Sequence, residues 1–476
     1  MTDELCYLPA TEALQRFRAR ELSPVELMHA VIDRAGQTEP TVNALCHTFY
    51  DEALAAARTA EQRYGAGTAR PLEGLPVAVK EEEAIQGQPW TQGSLIHRDT
   101  IASYTSEFAR RQLDAGAIVH ARSAAPEFSC AGFTHSRIHG VTRNPHNPEL
   151  SVGGSSGGSA ASLAAGTSTL ASGSDIGGSI RIPAAACGVV GFKPPYGRVP
   201  VEPPYNLDTY CHCGPLARTV ADCGLYENVL AGVDPTDIVS LRDPLLLPDR
   251  FAGIGGLRIA LSLELGGDWT IDDDVRANTL AVAEALRIAG AQVDEVDLML
   301  PYDDVMQAVS IHFHYGFAAD IGEAVSAHRE LVCDYTRAMV DSAEQLSRGA
   351  GVADGLRLEA QLYAPVGELL QRYDALVIPS SRVAGLDAGD GYADHAPVAG
   401  GTELEFYLGN FFTPVFNILS RCPVLAVPSG FAARNAPTGV QIAGRTYDDL
   451  TVFRVGAALE AVRPWDNRPA VGALAA

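Results

Sequence analysis

Short apolar runs alternate with amphipathic stretches along the whole chain. Apolar residues recur at helical spacing over Thr11–Arg18, and Ser23-Pro24-Val25-Glu26 forms a capping box with proline at the first helical position. That box predicts a helix running to about Ala35. The alanine- and charge-rich stretch Asp51–Tyr64 predicts another. Glu73-Gly74-Leu75-Pro76 reads as a turn entering a short buried strand that ends at Lys80. Further strands are predicted at Gly116–Ala121, Leu257–Ser262, Ala291–Val296, Tyr373–Pro379 and Cys422–Pro428, with Pro437–Gly444 as a hairpin partner. Helices are expected over Thr105–Ala115, Asp273–Ala289 and Asp449–Glu460, and mixed helices from Pro301 to about Gly367. No internal repeat and no linker interrupts this order.

One stretch breaks the pattern. Ser151–Pro200 carries two glycine–serine clusters, Gly153-Gly154-Ser155-Ser156-Gly157-Gly158 and Asp175-Ile176-Gly177-Gly178-Ser179. Between them, Ser159–Ala165 is small and helix-compatible, so the first cluster is expected to run into a tightly packed buried helix. A glycine–serine linker would not alternate with apolar segments such as Ser162–Gly166 and Cys187–Phe192, nor carry a single Asp175 and Arg181 around one tight turn. Glycine lets backbone N–H groups crowd around a point, forming a nest for negative charge. A serine at the end of such a turn can attack a carbonyl whose oxygen then sits among those donors.

The two clusters, followed by Cys187-Gly188-Val189-Val190-Gly191-Phe192-Lys193-Pro194, resemble the amidase signature family of serine hydrolases, which cleave acyl C–N bonds with a Ser-cisSer-Lys triad. The resemblance extends through Gly74-Leu75-Pro76-Val77-Ala78-Val79-Lys80, Cys213–Asp222 and Tyr373–Pro379. It implies one large α/β domain over 1–476, with a mixed central β-sheet covered by helices. Within it, 1–65 would be an N-terminal helical region, 66–230 the catalytic core, and 300–405 a variable substrate-pocket region. It also implies that Ser179 is the nucleophile, that Ser155 bridges in a cis peptide, and that Lys80 is the base. The backbone N–H groups of Ile176, Gly177, Gly178 and Ser179 would form the oxyanion hole. Asp175 and Arg181 would brace the turn, by an ion pair or through backbone hydrogen bonds, with Ser156 in a supporting role. Cys130 and Phe133 would lie in a loop along the substrate pocket, and Phe313, Tyr315, Tyr335 and Tyr363 suggest an aromatic lining. Where the family usually continues with Asp-Asn after the lysine, this chain has Glu81-Glu82-Glu83. Acidic neighbours favour a charged lysine, so these three are expected to point away or be paired elsewhere. Ser156, in Gly154-Ser155-Ser156-Gly157-Gly158, fits G-x-S-x-G, but His395 after Asp374 is a poor match for the partners that elbow needs.

Composition narrows the partners. The chain has 476 residues, 47% of them hydrophobic, with 35 Lys+Arg against 58 Asp+Glu and a formal net charge of −23. Such an acidic surface repels phosphate backbones and anionic membranes, so neither nucleic acid nor membrane is expected as a partner. The nine cysteines form no pair of C-x-x-C motifs, and Cys211-His212-Cys213 reads as core filler. His312 and His314 read as packing residues. No metal and no other cofactor is expected. An N-terminus without a basic and then apolar segment suggests a cytoplasmic protein with reduced thiols, and family resemblance suggests a homodimer. The activity implied is hydrolysis of a small-molecule amide or acyl hydrazide. The alternative is the glutaminase subunit of a tRNA amidotransferase; that branch commonly has Gln where this chain has Ile182, and Asp-Gln before the Gly-Pro that here follows Cys213.

Overall fold

The computed structural model describes residues 2–266, 269–392, 394–404, 407–465 and 468–469. Eleven strands form one mixed sheet among them: β1 (Leu45–Thr48), β2 (Pro76–Lys80), β3 (Ile118–Ser123), β4 (Leu170–Asp175), β5 (Val190–Lys193), β6 (His212–Ala217), β7 (Arg258–Leu261), β8 (Gln292–Glu295), β9 (Ala375–Pro379), β10 (Val424–Ala432) and β11 (Ala436–Gly444). Their spatial order is β1-β3-β2-β4-β6-β5-β10-β11-β9-β7-β8. The pairs β3–β2, β2–β4, β9–β7 and β7–β8 are parallel, and the central run from β4 to β9 is antiparallel throughout.

Continuous apolar strands need cover on both faces. Here α1 (Ala10–Ala19), α2 (Pro24–Val42), α3 (Tyr50–Ala66), α4 (Glu107–Asp114), α5 (Gly157–Ala165), α6 (Arg181–Cys187), α7 (Val220–Leu230), α8 (Asp273–Ile288) and α9 (Asp449–Val462) flank the sheet. The helices Tyr302–Tyr315, Phe317–Ala327, Asp334–Leu346 and Val352–Arg372 gather as a separate layer within the 300–405 region. No described helix is long and apolar enough to cross a membrane.

Most predicted elements stand within a few residues of their expected bounds, and two differ instructively. The α2 helix carries the expected capping box but continues past Ala35 to Val42, with Pro40 inside it. Its last turn is tied down by Glu39, whose carboxylate accepts the N–H groups of Ala44 and Leu45 at 2.8 and 2.9 Å. The strand predicted to end at Ala121 continues as β3 through Ser123, because Ser123 pairs with Lys80 and completes the parallel ladder beside the site.

Candidate active site

Three neighbouring pieces of backbone meet where β2 and β4 lie side by side, third and fourth in the sheet: the end of β2, the turn leading into α5, and the turn between β4 and α6. Lys80 closes β2 and is fully buried. Its Nζ lies 2.7 Å from Ser155 Oγ, 2.8 Å from Ser174 Oγ and 3.0 Å from Glu82 Oε2. Its backbone N–H donates to Ser172 Oγ at 3.0 Å. Ser172 and Ser174 alternate along β4 and therefore face the same side.

Ser155 follows a cis Gly154–Ser155 peptide bond. Gly154 allows the close approach of a second strand of backbone: a Cβ there would collide with the main chain of Phe133. The next N–H, that of Ser156, donates to the carbonyl of Ser179 at 3.1 Å, which ties the two serine turns together. The Ser156 hydroxyl turns the other way, 3.3 Å from both the N–H and the carbonyl of Ser174. It is wholly buried, so it holds β4 to the start of α5 and is closed to a substrate. His395 stands in an exposed loop with Asp390 and Asp394.

Asp175 and Arg181 shape the second turn, and both are fully buried. Arg181 Nε and Nη2 donate to the two oxygens of Asp175 at 2.9 and 2.8 Å. The same guanidinium reaches the Thr413 carbonyl at 2.7 Å, Gln441 Oε1 at 2.6 Å and Asn417 Oδ1 at 2.7 Å. Burial opposes ionisation of Asp175, but the Arg181 charge and the hydrogen bonds from Arg181 and Asn417 outweigh it and hold the carboxyl at about 2. Both ways of bracing the turn are used, since Asp175 also accepts the N–H groups of Gly178 at 2.8 Å and Ile180 at 3.2 Å. Gly178 thereby departs from its expected place in an oxyanion hole: its N–H is engaged by Asp175. The N–H groups of Ile176, Gly177 and Ser179 remain as the candidate donors. Gly178 has φ +127°, and a Cβ on it would collide with Thr413. Thr413 Oγ1 in turn donates to the Gly177 carbonyl at 2.8 Å.

The three glutamates after Lys80 divide, contrary to the expectation that all of them avoid the lysine. Glu81 turns away: its carboxylate accepts the N–H groups of Thr91 and Gly93. Glu83 does too, accepting from Ser106 Oγ at 2.7 Å; burial first, and the neighbouring Glu82 charge second, push its carboxyl up to about 7. Glu82 instead turns back onto Lys80. Burial works against its ionisation, yet Lys80 and the hydroxyls of Ser129 and Ser174 hold it below the ordinary carboxyl value. The reason is local: a carboxylate two residues after a buried lysine is the nearest available counter-charge.

Two cavities border these turns. One, of about 220 Å³, is walled by Ser155, Ser174 and Ile176 together with Glu82, Glu83, Glu202 and Asp320, and no arginine or lysine is among its described lining residues. The other, of about 160 Å³, is apolar and includes Cys130, Phe133, Phe313, Tyr335, Met339 and Tyr407. Phe313 stands beside the Asp175–Ser179 turn, its ring 3.3 Å from where a Cβ on Gly177 would be. Of the four aromatic residues expected to line a pocket, Phe313 and Tyr335 line this one, whereas Tyr315 and Tyr363 are exposed. His312 hydrogen-bonds Asp208 at 2.7 Å and stacks on Tyr210. All nine cysteines are free. Sequence reasoning missed Ser174, Glu82, Thr413, Asn417 and Gln441. Only the Ser172–Ser174 alternation on a strand beside Lys80 offered a signal.

Known proteins match this chain over nearly its full length. Residues 26–453 match the family described as Amidase. A glutamyl-tRNA(Gln) amidotransferase subunit from Chloroflexus aggregans is 34% identical, with 98% of each chain covered. An acylamidase from Rhodococcus erythropolis is 33% identical, with 99% of each covered. The solved structure of a bacterial aryl acylamidase, reported as an amidase signature enzyme, superposes with a TM-score of 0.88 at 28% identity, covering 96% of this chain and 97% of that one. Matched from end to end in both sequence and fold, the chain belongs to the amidase signature family of hydrolases.

Proposed function

We propose that the protein hydrolyses a small-molecule carboxylic amide or acyl hydrazide through an acyl-enzyme on Ser179. The observation that carries this reading is the 2.7 Å contact between Lys80 Nζ and Ser155 Oγ, at a serine whose neighbour is tied to Ser179. Nζ is placed to exchange a proton with Ser155 while Ser174 and Glu82 flank it, and the relay runs from the uncharged form of the amine. Ser179 Oγ attacks the substrate carbonyl carbon; its proton passes to Ser155 as the Ser155 proton passes to Lys80. The new oxyanion is met by the N–H groups of Ile176, Gly177 and Ser179. The relay then runs backward, protonating the leaving nitrogen as the C–N bond breaks. Water attacks the ester by the same route and releases the acid and free Ser179.

Two relatives carry different names, one an acylamidase and the other a tRNA amidotransferase component, and the cavities favour the stand-alone hydrolase. Glutamine is a zwitterion, and its α-carboxylate would find no basic partner among the described residues that line the cavity with Glu82, Glu202 and Asp320. The aromatic cavity suits an apolar acyl or aryl group. Incubating the purified protein with matched neutral, cationic and carboxylate-bearing amides, and with hydrazides and glutamine, tests the reading. Turnover of neutral aryl or alkyl amides that Ser179→Ala abolishes is expected. Turnover of glutamine alone, dependent on a co-purifying partner, would establish the amidotransferase reading instead.

A further inference from the structure

Three side chains outside the amide site converge at the edge of the sheet. Cys46 and His47 are consecutive on β1, and a regular strand would send them to opposite faces. The pairing of β1 with β3 shifts register between Leu45 and His47, and a bulge of this kind re-aims a side chain. Cys46 Sγ, a ring nitrogen of His47 and a ring nitrogen of His139 consequently lie within 4.8 Å of one another.

The His139 turn is fixed to the same place by its backbone. Its N–H donates to Ser136 Oγ at 3.1 Å, and its carbonyl accepts from Asn43 Nδ2 at 2.8 Å. Thr91 Oγ1 lies 3.1 Å from His139 Nε2, and the Thr91 N–H is itself held by the Glu81 carboxylate. Imidazoles that bind metals are commonly steadied by an outer layer of this sort. His47 Nε2 is shielded from solvent and has no hydrogen-bond partner among the described residues, a state that buried polar atoms rarely keep. Burial, and the Glu81 carboxylate after it, push the Cys46 thiol well up, with the Arg122 guanidinium opposing them. All three candidate ligand residues are half-buried.

We propose that Cys46, His47 and His139 bind a divalent cation of the Zn(II) type, clipping the edge strand β1 to the His139 turn. One thiolate and two imidazoles suit a borderline-soft ion with solvent as its fourth ligand, whereas Mg(II) and Ca(II) require oxygen. Binding displaces the thiol proton that Cys46 now directs at the Arg122 carbonyl, 3.4 Å away. The amide chemistry uses none of these residues.

The test is a titration of the full-length protein, stripped with chelator and kept reduced, with Co(II) and then Zn(II). One equivalent of Co(II) should give a thiolate-to-cobalt charge-transfer band that Zn(II) removes, and Zn(II) should raise Tm. Cys46→Ala should abolish both responses, Thr91→Val should weaken binding by about tenfold, and Cys211→Ala should leave both intact. If Cys46→Ala does not fold, His139→Gln supplies the same comparison. No band at excess Co(II), or a band that survives in both ligand variants, overturns the proposal and marks the binding as adventitious.

Discussion

Arg181 closes side-on over Asp175, with both guanidinium contacts between 2.8 and 2.9 Å and neither residue exposed. Removing one partner leaves a buried charge unmatched, which typically destabilises by about 3–5 kcal/mol. Arg181→Ala and Asp175→Ala should therefore each lower the urea midpoint markedly and abolish turnover. The folded carboxyl lies at about 2 against an ordinary 3.8, so this stabilisation is present above the ordinary value and is lost as pH falls through the folded one. Wild-type and Arg181→Ala stabilities should converge toward pH 2, which denaturation at graded pH would show.

If Lys80, Ser155 and Ser179 act as one relay, their substitutions will not add. Each alanine variant should lower kcat by about 10³-fold or more, and the Lys80→Ala/Ser155→Ala double variant should be no worse than the poorer single one. A folded Ser179→Ala variant with near wild-type turnover on any amide would remove the mechanism.

Thr413 supports the Asp175–Ser179 turn from outside through its hydrogen bond to the Gly177 carbonyl. Thr413→Val keeps the shape and deletes the donor. The expected result is a kcat about tenfold lower with little change in KM, because the loss falls on the geometry of the oxyanion donors. Gly178→Ala should be far more damaging, since the added methyl meets Thr413 and the residue sits at positive φ.

Glu83 should make stability depend on pH in the opposite direction from Asp175. Its carboxyl is raised from 4.5 to about 7, so the folded state favours the protonated form. That contribution is full below pH 4.5 and is lost as pH rises through 7. Glu83→Gln should remove the decline, gaining on the wild type between pH 5 and pH 8 by at most roughly 3 kcal/mol. Chemical denaturation at the two pH values checks this.

Local pattern carried the strands and the serine turns into view, because burial and turn chemistry are written in neighbouring residues. The apolar strand before Lys80 and the glycine settings of Ser155 and Ser179 were legible for that reason, whereas their grouping as one site came from the family resemblance. The departures came where partners are chosen across space. Glu82 faces Lys80 rather than avoiding it, since a desolvated lysine draws its nearest carboxylate. Gly178 gives its N–H to Asp175 because the carboxylate is three residues away and already buried. Cys46 and His47 reach His139 only through a slip in strand register that periodicity does not record. The helix α2 outruns its expected end because Glu39 caps the following turn from within.

Apart from Asp175, the groups that hold Arg181 in place lie 232 to 260 residues beyond it in sequence. A chain that ended at Cys187 would bear Lys80, Ser155, Ser179 and the Asp175 carboxylate, yet only one of the four partners of the Arg181 guanidinium among the described residues. Translation must proceed past Gln441 before the other three can all be met. The full set of Arg181 contacts therefore exists only once the final hairpin of the sheet has docked.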